Sequence, residues 1–289
     1  MRHKTNGSCY PYTIEIFWEL VLGSHRDEIM TRLNKIKCDW DSLAERDALW
    51  AILTDGSKAG GKWDVAEFMA TGDAEIETVM DHLARIDCIP DTNGAALDFG
   101  CGVGRLTQPL ARRFCSCVGV DISQQMIQRA ESLNRYEQCR YVTNSDTRLP
   151  FADASFLFIY SNIVLQHISQ RFSTEYLREF VRVLAPGGVL VFGVQDSFAV
   201  WNVSSLLFRV RQQLRIRSRI KSLLKVGLTD MQMHCMSEPV VRQALGIAKV
   251  MDIQLTNTAA KDFNGRVNYL REAPRTGYVG KQYCVTKSP

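Results

Sequence analysis

The sequence lacks any run of about 18 apolar residues, the length that a membrane-spanning helix requires. We also expect no secretion signal, because Glu15 and Glu19 interrupt the apolar stretch near the N-terminus and no small-residue cleavage site follows it. The nine cysteines are odd in number and scattered, and no C-x-x-C pair is present. These absences argue against a disulfide framework and a structural zinc site. They predict a cytoplasmic protein with reduced cysteines and no bound metal.

A strong excess of one charge sign is missing as well. The chain has 35 Lys and Arg against 31 Asp and Glu, a formal net charge of +4. Such a small excess does not predict a nucleic-acid-binding protein, although it leaves room for a local basic patch. With 46% hydrophobic and 23% charged residues the composition is that of a globular protein and excludes disorder. At 289 residues there is room for one large domain, alone or with a small cap.

The first part of the chain has the periodicity of helices. Apolar residues recur there at every third or fourth position up to Leu83, which is typical of amphipathic helices. A polar linker at 91–94 separates this part from a region with a different period. We therefore expect an N-terminal helical cap over residues 1–90 and a larger domain over residues 91–289.

From residue 95 onward, strand and helix patterns alternate. The predicted strands are Ala95–Phe99, Ser116–Asp121, Cys139–Thr143, Phe156–Ser161, Val189–Val194, Val250–Leu255 and Tyr283–Thr286. The predicted helices are Arg105–Phe114, Ser123–Leu133, Thr174–Leu184 and Glu238–Ala248. Strands joined by helices of about a dozen residues form βαβ units. The pattern predicts an α/β fold with a doubly wound, mostly parallel, seven-stranded Rossmann-like sheet.

A glycine-rich motif follows the first predicted strand. From Leu97 to Arg105 the chain reads LDFGCGVGR, so the motif leaves a strand and enters a helix. Glycines let the backbone approach a ligand closely, and a helix N-terminus offers free N–H groups to an anion. The same motif can also be a tight turn without a ligand. Asp121, at the end of the second predicted strand, favours a ligand, because doubly wound folds place a ribose-binding carboxylate about 20 residues after the glycines.

The spacing of the glycines separates two classes of nucleotide cofactor. The dinucleotide fingerprint G-x-G-x-x-G has a third small residue where this chain has Arg105. An arginine side chain does not fit where helix and strand must pack closely, so the motif disfavours an NAD-dependent oxidoreductase. That class stays open as an alternative, as does a non-catalytic regulatory module that only binds a cofactor.

The pattern D-x-G-x-G-x-G over Asp98–Gly104 resembles class I S-adenosylmethionine-dependent methyltransferases, in particular the bacterial small-molecule, type 11-like group. Three further segments are similar to that family: the third-strand exit with NSD, LPF and DASF within 144–156, the turn LAPGGVL at 184–190, and the helical segment Trp63–Leu83. The resemblance implies S-adenosylmethionine as cofactor and transfer of its methyl group by in-line displacement.

The resemblance also implies roles for individual residues. The cofactor-binding residues that it implies are Asp98, Gly100, Gly102, Gly104, Arg105, Asp121, Ile122, Asp146, Thr147, Ser161 and Asn162. Among these, Asp121 would bind the ribose and Asp146 the adenine amino group. Arg105 would either hold the cofactor carboxylate or be a solvated arginine in the first helical turn. The family usually has an aspartate where this chain has Leu157, which we interpret as a packing change.

The methyl acceptor is less defined than the cofactor. Methyl transfer from a sulfonium needs mainly alignment and exclusion of water, and a base only if the acceptor must lose a proton. His167 follows the fourth predicted strand on the side where an acceptor should enter, so it is the candidate general base; it could equally pack the loop. From the habits of the family we expect a small-molecule, sugar or lipid-linked acceptor and no nucleic acid.

An insertion at 196–235, between the fifth and sixth predicted strands, is strongly basic. No acidic residue occurs between Ser197 and Thr229. The basic residues there are Arg209, Arg211, Arg215, Arg217, Arg219, Lys221 and Lys225. Apolar residues at helical spacing predict one or two amphipathic helices. These helices would form a lid, or contact an anionic acceptor, a carrier protein or a membrane surface through 203–225.

Overall fold

A computed structural model describes residues 12–199, 233–260 and 263–288, with side chains described from residue 31 onward. The predicted helices of the basic insertion, at 203–225, lie outside the described residues. Within the described part of the chain, no helix has the length and hydropathy needed to cross a membrane.

Eight strands form a single sheet. They are β1 (Ala95–Phe99), β2 (Ser116–Asp121), β3 (Cys139–Thr143), β4 (Phe156–Ser161), β5 (Leu184–Ala199), β6 (Lys249–Thr256), β7 (Tyr269–Leu270) and β8 (Gly277–Thr286). Their order in the sheet is β3-β2-β1-β4-β5-β8-β6-β7. The first five strands are parallel, whereas β8 runs antiparallel to both β5 and β6. The strand order reverses between β1 and β4, and open α/β sheets bind their ligands at such a switch point.

Six α-helices accompany the sheet in the described residues. They are α1 (Tyr12–Ile52), α2 (Val65–Arg85), α3 (Thr107–Ala111), α4 (Gln124–Leu133), α5 (Gln170–Val183) and α6 (Glu238–Leu245). The long helix α1 is interrupted at Asp47, which has non-helical dihedral angles. After α1 ends at Ile52, the chain is non-helical as far as Asp64. The Asp64 side chain accepts a hydrogen bond from the Glu67 amide and so caps the start of α2.

The prediction of a doubly wound, mostly parallel sheet is confirmed. Strands β1 to β4 have the predicted bounds, and the eighth strand is the two-residue β7, which is too short to give a sequence pattern. Strands β5 and β8 are longer than predicted because their antiparallel ladder continues from Val189–Thr286 to Ala199–Gly277. Backbone pairing resumes at Ser197 after an irregularity at Asp196, although the apolar pattern stops there.

Helices cover both faces of the sheet, and this explains why its central strands are apolar throughout. On one face, α2 contributes the buried side chains of Ile76, Val79 and Leu83. On the opposite face, α5 and α6 bury a larger cluster that includes Phe172 and Phe180. The C-terminal part of α1 forms a third apolar cluster with the start of α2 and with residues that flank the glycine loop.

Candidate functional site

A cavity that is open to solvent lies at the C-terminal ends of β1, β2 and β4. Helix α1 contributes one wall through Leu33, Ile36, Trp40 and Ile52. The strand ends and their loops contribute Phe99, Gly100, Gly102, Val120, Asp121, Ile122, Asn144, Asn162, Ile163 and Val164. The cavity therefore coincides with the switch point of the sheet, and most of its wall is apolar.

The glycine loop has a backbone that only glycine adopts easily. Gly100, Gly102 and Gly104 have φ angles of 75°, 53° and 83°, in the left-handed region. Space is also limiting, because a Cβ atom at Gly100 would lie 2.2 Å from a methyl carbon of Val164, and one at Gly102 would lie 2.5 Å from Cδ1 of Ile52. Gly100 and Gly102 line the cavity, whereas Gly104 faces the Tyr141 hydroxyl.

Asp121 is fixed at the edge of this loop. Its Oδ2 accepts a hydrogen bond from the Gly102 amide at 2.9 Å, and its Oδ1 accepts one from the Ser123 amide at 2.9 Å. Burial raises the pKa of the Asp121 carboxyl, and the backbone amides oppose that rise. Because a carboxylate has about four acceptor sites, both oxygens can still bind hydroxyl groups in the cavity. The predicted position of Asp121 beside a ligand is therefore geometrically sound, and Ile122 lies next to it in the cavity wall.

The loop after β3 differs from what the resemblance implies. Asp146 and Thr147 are not among the residues that line the cavity, whereas Asn144 and Tyr176 are. The Asp146 side chain accepts a hydrogen bond from the Arg148 amide at 3.1 Å. The backbone carbonyl oxygen of Asp146 accepts one from Asn144 Nδ2 at 2.8 Å. Binding of adenine by Asp146 remains a prediction. Sequence reasoning missed Asn144, although it lies in the quoted NSD segment.

Asp98 lies behind the glycine loop and does not line the cavity. Its Oδ2 accepts a hydrogen bond from Thr107 Oγ1 at 2.7 Å, whereas its Oδ1 has no partner in the described residues. Burial raises the pKa of this carboxyl to about 7, although the hydrogen bond from Thr107 and the charge of Arg105 lower it. This arrangement links β1 to the start of α3.

Arg105 is buried, so it is not the solvated arginine of the second alternative, and it is not among the residues that line the cavity. Binding of the cofactor carboxylate by Arg105 remains a prediction. Arg105 is 2% exposed, and its Nη2 lies 2.8 Å from Oε2 of Glu75 on α2. The reason is close packing of α2 on the glycine loop. A Cβ atom at Gly72 would lie 2.0 Å from the carbonyl oxygen of Arg105, so the helix comes directly against the loop and covers its arginine.

Glu75 was not identified from the sequence, yet it joins α2 to the cavity. The residue is fully buried, and besides Arg105 its Oε1 accepts from the Tyr160 hydroxyl at 2.8 Å and from Asn162 Nδ2 at 2.7 Å. Asn162 lines the cavity, whereas the neighbouring Ser161 is buried beside it. The sequence signal for Glu75 is an acidic residue on the otherwise apolar buried face of α2, beside Ile76.

His167 ends a short 3₁₀ turn, Leu165–His167, after β4. Its ring lies edge-to-face with Trp40 at a centroid distance of 5.6 Å, and Trp40 lines the cavity. The neighbouring Gln166 is buried and accepts a hydrogen bond from Gln195 Nε2 at 2.6 Å. His167 is thus placed beside the cavity wall rather than within the set of lining residues.

Comparison with known proteins finds similarity to methyltransferases. Residues 97–192 match the family model of a methyltransferase domain. The chain is 27% identical over 143 residues to trans-aconitate 2-methyltransferase of Sinorhizobium medicae, covering 47% of this chain and 51% of that protein. It is 35% identical over 109 residues to malonyl-[acyl-carrier protein] O-methyltransferase of Erwinia pyrifoliae, covering 38% and 40% of the two chains. The chain thus spans about half or less of the length of these curated relatives.

A solved structure gives the same class of fold. The crystal structure of magnesium protoporphyrin IX methyltransferase from Synechocystis PCC 6803 with bound SAM aligns with 89% of this chain and 97% of that chain, at a TM-score of 0.54 and 15% identity. Residues 97–192 therefore match a methyltransferase domain, and the solved structure shows that the fold is of the same kind.

Proposed function

We propose that this protein transfers a methyl group from S-adenosylmethionine to a small-molecule acceptor. The observation that carries the proposal is the juxtaposition of the left-handed glycine loop and the fixed carboxylate of Asp121 in one cavity at the switch point of the sheet. The Asp121 carboxylate and the glycines Gly100 and Gly102 line this cavity together, so the residues present fit the hydroxyl groups and the polar end of a nucleoside ligand.

In this proposal, different residues bind different parts of the cofactor. Asp121 would bind the ribose hydroxyls, and Ile122 and Asn144 would contact the adenine. Gly100, Gly102 and Asn162 would contact the amino acid end. When bound, S-adenosylmethionine supplies an electrophilic methyl group on sulfur, and S-adenosylhomocysteine is left after the transfer. The apolar wall would hold the two reactants in line, and it would limit the access of water, which is a competing nucleophile.

The acceptor would enter beside Trp40 and His167. Two relatives are named for trans-aconitate and for a malonyl group on acyl-carrier protein, both of which are carboxylates. We therefore include a small carboxylate, free or attached to a carrier protein, among the acceptors to be tested. A carboxylate is already deprotonated at neutral pH and needs no base, so His167 would then orient the acceptor or bind its charge. For an alcohol or amine acceptor, His167 would take up the proton.

The test is a pair of measurements on the purified protein. Titration calorimetry should detect binding of S-adenosylhomocysteine and no binding of NAD. Transfer of radiolabelled methyl groups is then measured against a panel of carboxylates, alcohols and amines. Binding of NAD without S-adenosylhomocysteine would overturn the proposal in favour of an oxidoreductase. Cofactor binding without turnover on any class of acceptor would favour a non-catalytic binding module.

A further inference from the structure

A buried polar network connects helix α2 to the cavity. Glu75 is its centre, and both carboxylate oxygens are engaged: Oε2 with the Arg105 guanidinium at 2.8 Å, and Oε1 with Tyr160 and Asn162 at 2.8 and 2.7 Å. All four side chains are buried, with exposures between 0% and 6%. Buried charges are costly unless they are paired and hydrogen-bonded, and this carboxylate meets both conditions.

The network determines which way the Asn162 amide points. A carboxylate that is paired with a guanidinium accepts hydrogen bonds and donates none, so the NH₂ group of Asn162 must face Glu75. The amide carbonyl, Oδ1, is then directed away from Glu75. In the described residues Oδ1 accepts no hydrogen bond, and it is not among the fully buried unpartnered atoms. Gly193 on β5 leaves room for it, because a Cβ atom there would lie 2.6 Å from Oδ1.

The position of Asn162 in the sheet indicates which part of a ligand it meets. Strand β1 lies between β2 and β4. A ligand whose ribose is bound by Asp121 at the end of β2 extends across the glycine loop to the end of β4. Its amino acid end, with an ammonium and a carboxylate, then lies beside Asn162. A carbonyl oxygen matches the ammonium, which only donates hydrogen bonds.

We propose that Glu75 is a positioning residue: it holds the Asn162 amide so that Oδ1 accepts a hydrogen bond from the α-ammonium group of the cofactor. The inference rests on the proposed function, because it presupposes that the cavity binds S-adenosylmethionine. It assigns a binding role to the N-terminal helix α2 without any direct contact between Glu75 and the ligand.

Two ligands separate this role from a general structural one. S-adenosylhomocysteine has the amino acid end, whereas 5′-methylthioadenosine has the same adenine, ribose and sulfur without it. Asn162→Ala keeps the Glu75–Arg105 pair and should weaken binding of S-adenosylhomocysteine by about tenfold or more, the value of a charge-assisted hydrogen bond. Its affinity for 5′-methylthioadenosine should stay within about twofold, because that ligand lacks the ammonium.

Two double variants test Glu75 itself. Glu75→Met with Arg105→Met removes both charges and the acceptor for Asn162, without leaving an unpaired buried ion. It should lose affinity selectively for S-adenosylhomocysteine, as Asn162→Ala does. Glu75→Gln with Arg105→Met also removes both charges but keeps a carbonyl oxygen that can accept from Asn162. This variant should restore the affinity of the wild type. Glu77→Gln, an exposed position on the same helix, is the control for loss of a charge from α2.

The outcomes are distinct. Equal losses for both ligands, or equal losses in both double variants, would show that Glu75 has only a structural role, or that Arg105 binds the ligand, and would overturn the inference. If the double methionine variant does not fold, Asn162→Ala decides: wild-type affinity for S-adenosylhomocysteine would refute the role of Oδ1. If the wild-type chain binds neither ligand, the proposed function itself is wrong.

Discussion

At the scale of single residues, Asp121 has two tasks in one side chain. It accepts hydrogen bonds from the amide of Gly102 in the glycine loop and from the amide of Ser123 before α4, and it lines the cavity in which a ribose would lie. We expect Asp121→Ala to weaken binding of both S-adenosylhomocysteine and 5′-methylthioadenosine by about tenfold or more, because both ligands have the ribose diol and each hydrogen bond to a carboxylate is worth about 1.5–3 kcal/mol. Calorimetric titration measures both affinities.

The control for Asp121 is Asp91→Ala, an exposed aspartate in the linker before β1. Asp91→Ala should leave both affinities unchanged. Unchanged affinity for both ligands in Asp121→Ala would refute the assignment of this carboxylate to the ribose. A loss for S-adenosylhomocysteine alone would move Asp121 to the amino acid end of the ligand.

Asp98 gives a residue-scale prediction about pH. Burial raises its pKa from 3.8 to about 7, so the folded protein holds this proton more tightly than the unfolded chain does. The stability that it contributes is therefore present at low pH and is lost as the pH rises through about 7. Asp98→Asn cannot ionise and still has a carbonyl oxygen to accept from Thr107. At pH 8 it should be more stable than the wild type by up to about 4 kcal/mol, at about 1.4 kcal/mol per pKa unit.

Urea unfolding of both proteins at pH 5, 7 and 8 measures this difference. The comparison cancels the contributions of all other titrating groups, because only position 98 differs. The advantage of Asp98→Asn should grow from pH 5 to pH 7 and change little from pH 7 to pH 8, because the unfolded chain titrates near 3.8 and the folded protein near 7. A constant difference across this range would mean that Asp98 is ionised throughout, with its charge compensated by Arg105.

At the scale of elements, the sequence predicts the bounds of a strand correctly when its apolar pattern ends at the same residue as its hydrogen-bond ladder. Strands β1 to β4 are short, apolar and bounded by polar or glycine residues, so their bounds follow from the sequence. Strand β5 continues beyond the apolar run because β8 pairs with it, and that pairing depends on a partner about 90 residues away in the chain. The predicted helix at Arg105–Phe114 is only Thr107–Ala111, since the glycine loop occupies its first turn.

Helix α2 gives the prediction at this scale. In a helix interior, replacing Gly by Ala normally stabilises the protein by about 0.5–1 kcal/mol. Gly72→Ala should do the opposite, because the added Cβ would lie 2.0 Å from the Arg105 carbonyl oxygen and push α2 away from the glycine loop. We expect a lower thermal midpoint and weaker binding of S-adenosylhomocysteine. Overpacking of this kind costs about 1–3 kcal/mol.

Gly56→Ala is the matched control for this substitution. A Cβ atom at Gly56 would have no neighbouring atom within 4 Å, and the backbone there is not left-handed, so alanine should be tolerated. A stabilised Gly72→Ala variant with intact binding would show that α2 can shift without consequence for the site. It would also weaken the inference about Glu75, which lies one turn further along the same helix.

At the scale of the whole molecule, α2 connects distant parts of the sheet. Near its start it meets the glycine loop through Gly72 and Glu75. Near its end, His82 Nε2 lies 2.8 Å from Asp252 on β6, and the His82 ring lies against Tyr269 of β7. One helix thus spans from the parallel half of the sheet to its antiparallel edge, and its contacts join residues that are 170 or more positions apart in the chain.

These long-range contacts explain which part of the site the sequence could predict. The glycine loop and Asp121 form a local pattern within about 25 residues, so their spacing is visible in the sequence. The Glu75–Asn162 contact joins residues 87 positions apart, and no local pattern records it. The burial of Arg105 is not visible in a local pattern either, because its partner Glu75 lies 30 residues earlier in the chain.

The predicted division into a cap at 1–90 and a domain at 91–289 can be tested by truncation. Phe68, Ile76, Val79 and Leu83 of α2 are at most 1% exposed. Burial of each such side chain contributes about 1.5–3 kcal/mol, so their combined loss is comparable to the total stability of a domain, about 5–15 kcal/mol. A fragment of residues 87–289 should therefore show no cooperative unfolding in urea and no binding of 5′-methylthioadenosine.

A fragment of residues 53–289 should behave differently, because it keeps α2 and loses only α1. We expect it to unfold cooperatively and to bind S-adenosylhomocysteine more weakly than the full chain, since Leu33, Ile36, Trp40 and Ile52 no longer cover the cavity. The two fragments separate the tasks of the N-terminal helices: α2 would be part of the folded core, and α1 the cover of the site. If residues 87–289 fold and bind the ligand at full affinity, both helices form a separate module. If residues 53–289 bind as tightly as the full chain, α1 is not a cover.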